Sequence, residues 1–195
     1  MLCGARKTGM KTLYRLVLKS ASVCTLLLGL LVAPLSAAAG EGFVFRSIDG
    51  GEIDTGDWRG KPLLVVNTAS RCGFTRQYDD MQLLFDKYRA SGFGLIAVPS
   101  DDFNQELGSD AEIKAFCEVN FGLDMPMTTS LSVKGAEAHP FYRAVAQQTG
   151  FVPRWNFNKV LIGADGEVVG TWGSSTKPLS GQITRAIEAE LAKAE

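Results

Sequence analysis

Cys72 is the residue of this chain whose type and setting point most directly to chemistry. It follows the apolar run 62–66 and precedes a segment with helical periodicity, so it lies at a predicted junction of strand and helix. Thr75 occupies the position that would complete a Cys-x-x-Cys motif. A thiol at a helix N-terminus faces unpaired N–H groups and the positive end of the helix dipole, which favour its thiolate. This setting predicts a single attacking thiol, and a buried structural cysteine is the alternative.

The other candidate ligands are too few for a metal site. Of the four cysteines, Cys3 and Cys24 lie near the N-terminus, and Cys117 lies 45 residues after Cys72. Two cysteines this far apart do not make a disulfide scaffold. His139 is the single histidine, so zinc or copper would lack soft ligands. We expect no metal and no bound cofactor, and we interpret His139 as a helix-start or packing residue rather than a catalytic base.

Residues 1–39 have the composition of a secretory signal peptide. They contain five basic residues and no acidic residue, and an apolar stretch at about 21–32 is followed by Ser-Ala-Ala-Ala at 36–39. The apolar part is short for a membrane span, which needs about 20 residues. An uncleaved N-terminal anchor is the alternative, and Met10 could be the true start. We predict export to the periplasm or secretion.

Cleavage after residue 39 would leave residues 40–195 as one domain. Its 156 residues are enough to bury a hydrophobic core, and it contains no internal repeat or low-complexity linker. It holds 15 basic and 21 acidic residues, a net charge of −6. Because no basic patch is evident, we expect neither nucleic acid nor a stable membrane association as a partner.

Hydrophobic periodicity and turn residues predict an α/β fold. Continuous apolar runs indicate strands buried on both faces, and Ser109 to Glu112 forms a capping box at the start of a helix. The elements, in order, are a hairpin of 43–46 and 53–58, strand 62–67, helix 75–91, strand 94–99, helices 109–121 and 138–148, strands 159–162 and 167–172, and helix 178–194. This order predicts a central mixed β-sheet with helices on both faces and an N-terminal β-hairpin.

Four segments, in order along the chain, resemble the cysteine form of the glutathione peroxidase family. They are 67–74 around Cys72, 108–114 at a helix start, 135–142 with its His-Pro pair, and 155–161 with the sequence Trp-Asn-Phe-Asn-Lys-Val-Leu. The resemblance covers about residues 43–192. It implies a thioredoxin-like fold, which agrees with the element order predicted above.

The resemblance also implies which residues form the site. The family's catalytic group is a cysteine or selenocysteine, a Gln, a Trp and an Asn, and three of these correspond to Cys72, Trp155 and Asn156. The Gln does not carry over, because Asp102 stands at its position. The following stretch, 104–108, is one residue shorter than the usual form and has Leu where Pro is common.

The implied chemistry is the reduction of a peroxide by a thiol. The reaction needs a thiolate, a proton for the departing oxygen and donors for the charge that moves. Trp155, Asn156 and the backbone amides of Gly73 and Phe74 are candidate donors. The product would be a Cys72 sulfenic acid, which a thiol must then reduce. The expected co-substrate is a thioredoxin-type protein or glutathione.

Asp102 leaves three interpretations open. An ionised carboxylate beside the sulfur would oppose the thiolate. Asp102 could be held protonated and donate the proton. It could point away and leave Gln105 or a backbone amide to serve, or this chain could be slow or altered in function.

Cys117 is the candidate for an internal resolving cysteine. It lies on the predicted helix 109–121, in a region where thiol-type members of the family keep such a cysteine, one residue earlier than usual. A disulfide with Cys72 would need the helix to unwind locally, since the Cα atoms must come within about 7 Å. The alternative is that Cys117 is a small buried apolar residue.

Three function classes compete. The first is a thiol peroxidase in oxidative-stress defence, and the second is a disulfide exchanger, which the missing Cys-x-x-Cys disfavours. The third is a thioredoxin-like redox-sensing or binding module with weak or no peroxidase activity. The chain lacks the long insert between His139 and Trp155 found in tetrameric, glutathione-using members, so the resemblance favours a monomer and a thioredoxin-type reductant.

Overall fold

A computed structural model of the chain describes residues 42–193. The strands are β1 (Val44–Arg46), β2 (Glu52–Asp54), β3 (Leu63–Thr68), β4 (Gly94–Pro99), β5 (Lys159–Ile162) and β6 (Val168–Trp172). The helices are α1 (Gln77–Tyr88), α2 (Asp110–Phe121), α3 (Pro140–Thr149) and α4 (Gly181–Leu191), with short 3₁₀ helices at Thr55–Trp58 and Arg89–Ser91. The order of elements is the one that the sequence predicts.

The central sheet is mixed and has the strand order β4-β3-β5-β6. Strands β3 and β4 are parallel, whereas β3 with β5 and β5 with β6 are antiparallel. Every residue of β3 and β4 is buried, as their continuous apolar runs predict. Strands β1 and β2 pair separately as the N-terminal hairpin.

Two hydrophobic clusters lie on the two faces of this sheet. Because side chains alternate along a strand, Leu64 and Val66 enter one cluster while Leu63 and Val65 enter the other. The first cluster contains apolar residues of α1, α2 and α4, and the second contains those of α3 and the hairpin. The predicted α/β architecture with helices on both faces is therefore confirmed.

Several helices begin and end at the capping residues that the sequence indicates. The Ser109 hydroxyl accepts a hydrogen bond from the Glu112 amide and starts α2, and Gly122, with φ of 59°, ends it in the left-handed conformation. Gly150 ends α3 in the same way, with φ of 71°. His139 is the N-cap of α3, as the sequence indicates.

Three predicted boundaries are wrong. The second hairpin strand ends at Asp54 rather than at residue 58, because the Asp54 carboxylate accepts from the Gly56 amide at 2.7 Å and starts a 3₁₀ turn. Helix α4 begins after Ser180, not at 178, and the turn 178–180 precedes it. Helix α1 begins at Gln77, later than predicted, which changes the setting of Cys72.

The predicted signal peptide, 1–39, lies outside the described residues. Within 42–193, no helix is both long and apolar enough to cross a bilayer.

Candidate active site

Cys72 lies in a run of turns between β3 and α1, five residues before the helix starts. Its carbonyl accepts from the Thr75 amide at 3.2 Å, and the next turns are closed by hydrogen bonds from Gln77 to Phe74 and from Tyr78 to Thr75. The prediction that this thiol sits at a helix N-terminus is therefore wrong. The hydrogen-bonded turns at 72–78 keep this segment out of the helix although its periodicity is helical. Because Cys72 precedes the helix by five residues, the helix dipole acts on it only weakly.

The Cys72 side chain is nearly buried. It is 4% exposed and belongs to the cluster of α1, α2 and α4, although the neighbouring Gly73 and Phe74 are exposed. The sequence predicts a more open thiol. A large oxidant therefore needs neighbouring side chains to move before it reaches the sulfur.

Gln105 connects the cysteine segment to Asn156. The Arg71 amide, one residue before Cys72, donates to the Gln105 carbonyl at 2.8 Å. The Asn156 side-chain amide donates to the Gln105 side-chain oxygen at 3.2 Å. Two hydrogen bonds therefore bring segments around residues 72, 105 and 156 together.

Asn156 is fully buried, and its side-chain oxygen Oδ1 has no hydrogen-bond partner among residues 42–193. An unsatisfied buried acceptor costs roughly 1–3 kcal/mol, and Asn156 Oδ1 is one of seven such side-chain atoms in the described residues. The next residue, Phe157, has φ of 58°, which a bulky residue rarely adopts. This backbone turn is held by a hydrogen bond from the Phe157 amide to the Asn67 carbonyl.

Trp155 is 39% exposed, so its indole is open to solvent. Its ring packs against Phe103, with 5.4 Å between the centroids. Its carbonyl accepts from the side-chain amides of Asn67 at 3.0 Å and Asn158 at 2.7 Å. The backbone of Trp155 is thus fixed from two sides while its side chain stays accessible.

Asp102 faces a different loop. Its carboxylate accepts from the Ser132 hydroxyl at 3.0 Å, the Val133 amide at 2.7 Å and the Lys134 amide at 3.1 Å. With both oxygens occupied by these donors, Asp102 is not aimed at Asn156. The Asp102 carboxylate therefore points to the 132–134 loop, while the Gln105 side chain contacts Asn156. Whether Gln105 serves in place of the family's Gln stays a prediction.

Glu106 holds the segment that precedes Cys72 through a hydrogen bond to the backbone of Ser70. It is buried, and its Oε1 accepts from the Ser70 amide at 3.0 Å and from the Leu107 amide at 2.8 Å. Burial raises the pKa of the Glu106 carboxyl, against the hydrogen bonds that lower it. Sequence reasoning missed this residue, because nothing local distinguishes it from other loop acids.

Cys117 is 1% exposed and lies inside α2. Burial raises the pKa of its thiol to about 11, and the nearby Glu106 and Glu118 carboxyls add to the effect. Both described cysteines are free, and both belong to the same hydrophobic cluster. Whether Cys117 resolves the oxidised Cys72 stays a prediction.

His139 has a structural role. Its Nδ1 accepts from the Phe141 amide at 3.3 Å, so Nε2 carries the proton and donates to the Val44 carbonyl at 3.1 Å. The ring stacks on Phe45 with 4.2 Å between centroids. Burial lowers the pKa of His139. Among residues 42–193, no group of three or more His, Cys, Asp or Glu side chains could hold a metal ion.

A set of buried polar residues behind the site was also missed by the sequence analysis. Asn67 at the end of β3 exchanges hydrogen bonds with Asn158, and the Ser174 hydroxyl donates to the Asn156 carbonyl at 2.6 Å. Polar side chains inside or beside apolar strands were the available signal, since burial requires that they have partners.

Comparison with known proteins identifies the family. The family model described as glutathione peroxidase matches residues 42–146, more than half of the chain. The chain belongs to the glutathione peroxidase family. It is accordingly a peroxidase, an oxidoreductase that acts on peroxide with a thiol. The matched span includes Cys72, Asp102 and Cys117, whereas Trp155 and Asn156 lie beyond it.

Individual relatives agree with this family. A glutathione peroxidase homologue, BsaA, of Halalkalibacterium halodurans is 42% identical over 142 residues, covering 70% of this chain and 90% of that protein. A hydroperoxy fatty acid reductase of Synechocystis is 38% identical over 148 residues, covering 70% of this chain and 88% of that protein.

Solved structures confirm the thioredoxin-like fold. The crystal structure of a glutathione peroxidase of Trypanosoma cruzi matches with a TM-score of 0.60 and 28% identity, covering 78% of this chain and 96% of that one. A thioredoxin-family thiol:disulfide interchange protein of Chlorobium tepidum matches with a TM-score of 0.59. Because its identity is 19%, it supports the fold alone.

Proposed function

We propose that this peroxidase reduces hydrogen peroxide or organic hydroperoxides through a sulfenic acid on Cys72, in defence against oxidative stress. The observation that carries the proposal is the pair of hydrogen bonds from Arg71 to Gln105 and from Asn156 to Gln105. This connection joins the cysteine segment to a buried amide whose Oδ1 has no partner within residues 42–193. Such an arrangement fixes polar groups beside the segment that carries Cys72, and a displacement on oxygen requires preorganised donors of this kind.

The proposed step is a nucleophilic displacement on a peroxide oxygen. The Cys72 thiolate attacks one peroxide oxygen, so an S–O bond forms while the O–O bond breaks. Sulfur is oxidised to sulfenic acid, and the peroxide is reduced to water or an alcohol after the departing oxygen takes a proton. The indole N–H of Trp155 and the amides of Asn156 and Gln105 are the donors proposed to stabilise the moving charge.

Gln105 replaces the family's usual Gln in this proposal. The stretch 104–108 is one residue short, and Asn104 has φ of 55°, a left-handed turn that follows the Asp102-Phe103 pair. The Asn104 amide closes this turn on the Asp101 carbonyl at 2.9 Å. Asp102 is thereby free to bind the 132–134 loop while Gln105 bonds to Asn156.

The surface beside Trp155 supports organic hydroperoxides as the proposed substrates. A pocket there is lined by Phe151, Val152, Arg154 and Trp155, which combine apolar contacts with an exposed cation. An acyl chain and an acidic group are chemically compatible with this lining. The name of the Synechocystis relative, hydroperoxy fatty acid reductase, supports the same substrate class.

We propose that an external thiol regenerates Cys72, either a thioredoxin-type protein or glutathione, with no metal or bound cofactor. The missing insert between His139 and Trp155 favours a monomer and a thioredoxin-type reductant. Internal resolution by Cys117 is the competing route. Neither nucleic acid nor a stable membrane association is proposed.

We also propose that residues 1–39 are a signal peptide and that the mature domain, 40–195, works in the periplasm or outside the cell. The basic start, short apolar stretch and small residues at 36–39 support this location. An exported peroxidase needs an exported reductant.

The near burial of Cys72 favours a second candidate. A thiol that is 4% exposed suits a thioredoxin-like redox-sensing or binding module with weak or no peroxidase activity. One comparison separates the two: hydrogen peroxide consumption by the native protein, Cys72→Ser and Asp102→Gln, with thioredoxin or glutathione as sole reductant. We expect the native protein and Asp102→Gln to consume peroxide and to form one sulfenic acid per protein. Native turnover no faster than that of Cys72→Ser would favour the binding module.

A further inference from the structure

Lys159 is fully buried at the start of β5. Its strand neighbours in the sheet are Val66 and Trp172, and the following residues, Val160 and Leu161, are also buried. A lysine among such residues is costly unless its donors are used. Its ammonium donates to the Gln77 side-chain oxygen and, at 2.7 Å, to the Thr176 carbonyl.

These two acceptors belong to segments that border the proposed site. Gln77 is the first residue of α1, five residues after Cys72, and its side-chain amide donates to the Ser174 carbonyl at 2.7 Å. The Ser174 hydroxyl in turn donates to the Asn156 carbonyl. This chain of hydrogen bonds links Lys159 to Gln77, Gln77 to the Ser174 carbonyl, and the Ser174 hydroxyl to the Asn156 carbonyl.

Asn158, which precedes β5, and Asn67 of β3 also hold the backbone at 155–156. The Asn158 side-chain amide donates both to the Ser174 hydroxyl at 3.0 Å and to the Trp155 carbonyl. Asn67, at the end of β3, donates to that same carbonyl. The backbone that carries Trp155 and Asn156 is therefore held on one side by β3 and on the other by the 174–176 loop.

Lys159 is not held by a carboxylate. Within the described part of the chain it has no ion pair, and the charged group that acts on it is Asp80 of α1, at a distance too long for a salt bridge. Two neutral acceptors, the Gln77 side-chain oxygen and the Thr176 carbonyl, fix the position of the Lys159 nitrogen. An amine that has lost its third proton still has two N–H donors, so both hydrogen bonds survive deprotonation.

We propose that Lys159 is a positioning residue for peroxide reduction. It holds the start of α1 and the 174–176 loop in one arrangement, and so keeps Asn156 against Gln105 beside the cysteine segment. This inference rests on the proposed function of Cys72 and Asn156. It predicts that loss of Lys159 slows the oxidation of Cys72 by more than the loss of stability explains.

The test measures the second-order rate constant for Cys72 oxidation by hydrogen peroxide, together with the melting temperature, in the full chain. Lys159→Met removes both hydrogen bonds and keeps the length of the side chain. Ser174→Ala removes the last step of the chain with little change in volume. Val160→Ala is the matched control, because it lies one residue along β5 and faces the other hydrophobic cluster.

We expect Lys159→Met to lower the rate constant by about tenfold to a hundredfold, as a misplacement of about 1 Å does. Ser174→Ala should lower it at least threefold, and the double variant should be no slower than Lys159→Met, since the two act through one chain. Val160→Ala should lower the melting temperature and keep the native rate constant.

Two results would overturn the inference. One is that Lys159→Met oxidises Cys72 with the same rate constant as the native protein. If Lys159→Met does not fold, the same result in Ser174→Ala would overturn the inference. The other is that Val160→Ala lowers the rate constant as much as Lys159→Met does when the two variants have the same melting temperature. Failure of the proposed function looks different, because peroxide would then be consumed equally well by Cys72→Ser.

Discussion

The side-chain amide of Asn156 donates to the side-chain oxygen of Gln105 at 3.2 Å, across 51 residues of sequence. The same Gln105 accepts a backbone hydrogen bond from Arg71, the neighbour of Cys72. One glutamine thus connects the two segments that carry the proposed catalytic residues. It stands three residues after Asp102, which occupies the position of the family's Gln.

Gln105→Leu should slow peroxide reduction by about a hundredfold to a thousandfold, the range for loss of one donor to a developing charge. The leucine also leaves the Asn156 amide without its acceptor. The measurement is the single-turnover rate of Cys72 oxidation. Gln82→Leu is the control, because Gln82 bonds to Asp86 and Asp124, a separate exposed group. Equal rates in both variants would contradict a role for Gln105.

Asp102→Ala should destabilise the protein without a comparable effect on rate. The change leaves Ser132, Val133 and Lys134 without their acceptor, at a cost of about 1–3 kcal/mol. Urea unfolding measures the cost, and the rate of Cys72 oxidation should stay within about threefold of native. A slower oxidation of Cys72 with unchanged stability would mean that Asp102 takes part in the reaction.

Glu106→Gln should remove a pH dependence of stability. Because burial raises the pKa of Glu106, the folded protein binds more protons than the unfolded chain above pH 4.5, the ordinary value. The native free energy of unfolding should therefore fall relative to that of Glu106→Gln as the pH rises from 4.5 toward the folded pKa, and the difference should be constant at lower pH.

Glu106→Leu is the contrasting variant, since it also removes the acceptor of the Ser70 and Leu107 amides. It should be less stable than Glu106→Gln by about 1–3 kcal/mol at every pH, because neither variant titrates at this position. Parallel pH profiles of native protein and Glu106→Gln would show that Glu106 does not titrate as described.

In the competing route of internal resolution, oxidised Cys72 should form a disulfide with Cys117 only as fast as α2 opens. Cys117 is buried in the middle of that helix, and its raised pKa disfavours the thiolate. Ser109→Ala removes the N-cap of α2 and destabilises the helix by about 1 kcal/mol, so the crosslink should form about fivefold faster. Mass spectrometry after one equivalent of peroxide follows it. Absence of any crosslink in both proteins would mean one-cysteine chemistry with an external thiol.

Lys159→Met should flatten the pH dependence of stability above neutral pH. Burial lowers the pKa of Lys159 to about 7, so between pH 7 and 10.5 the unfolded chain binds more protons than the folded protein. The native free energy of unfolding should rise with pH relative to that of the variant by at most about 1.4 kcal/mol per unit. Urea titrations between pH 6 and 8.5 test this, and a difference that stays constant above pH 7 would contradict it.

Local patterns in the sequence were enough to predict the order of helices and strands and to identify the segments of the candidate site. Continuous apolar runs predicted β3 and β4, and glycine and serine signals placed the ends of α2 and α3. These features depend on local preferences that a few neighbouring residues set. The family segments around Cys72 and Trp155 are likewise continuous stretches of chain, and their resemblance could be recognised without coordinates.

Which polar groups contact one another depends on the folded arrangement of distant segments. The bonds of Asp102 to Val133 and of Asn156 to Gln105 join residues 31 and 51 positions apart. Their formation depends on loop paths and on burial, which no local pattern encodes. The same is true of Lys159, which begins a strand of otherwise apolar residues and whose ammonium finds its acceptors on α1 and the 174–176 loop. Long-range packing fixes these partners because a buried polar group is stable only where the folded chain brings one to it.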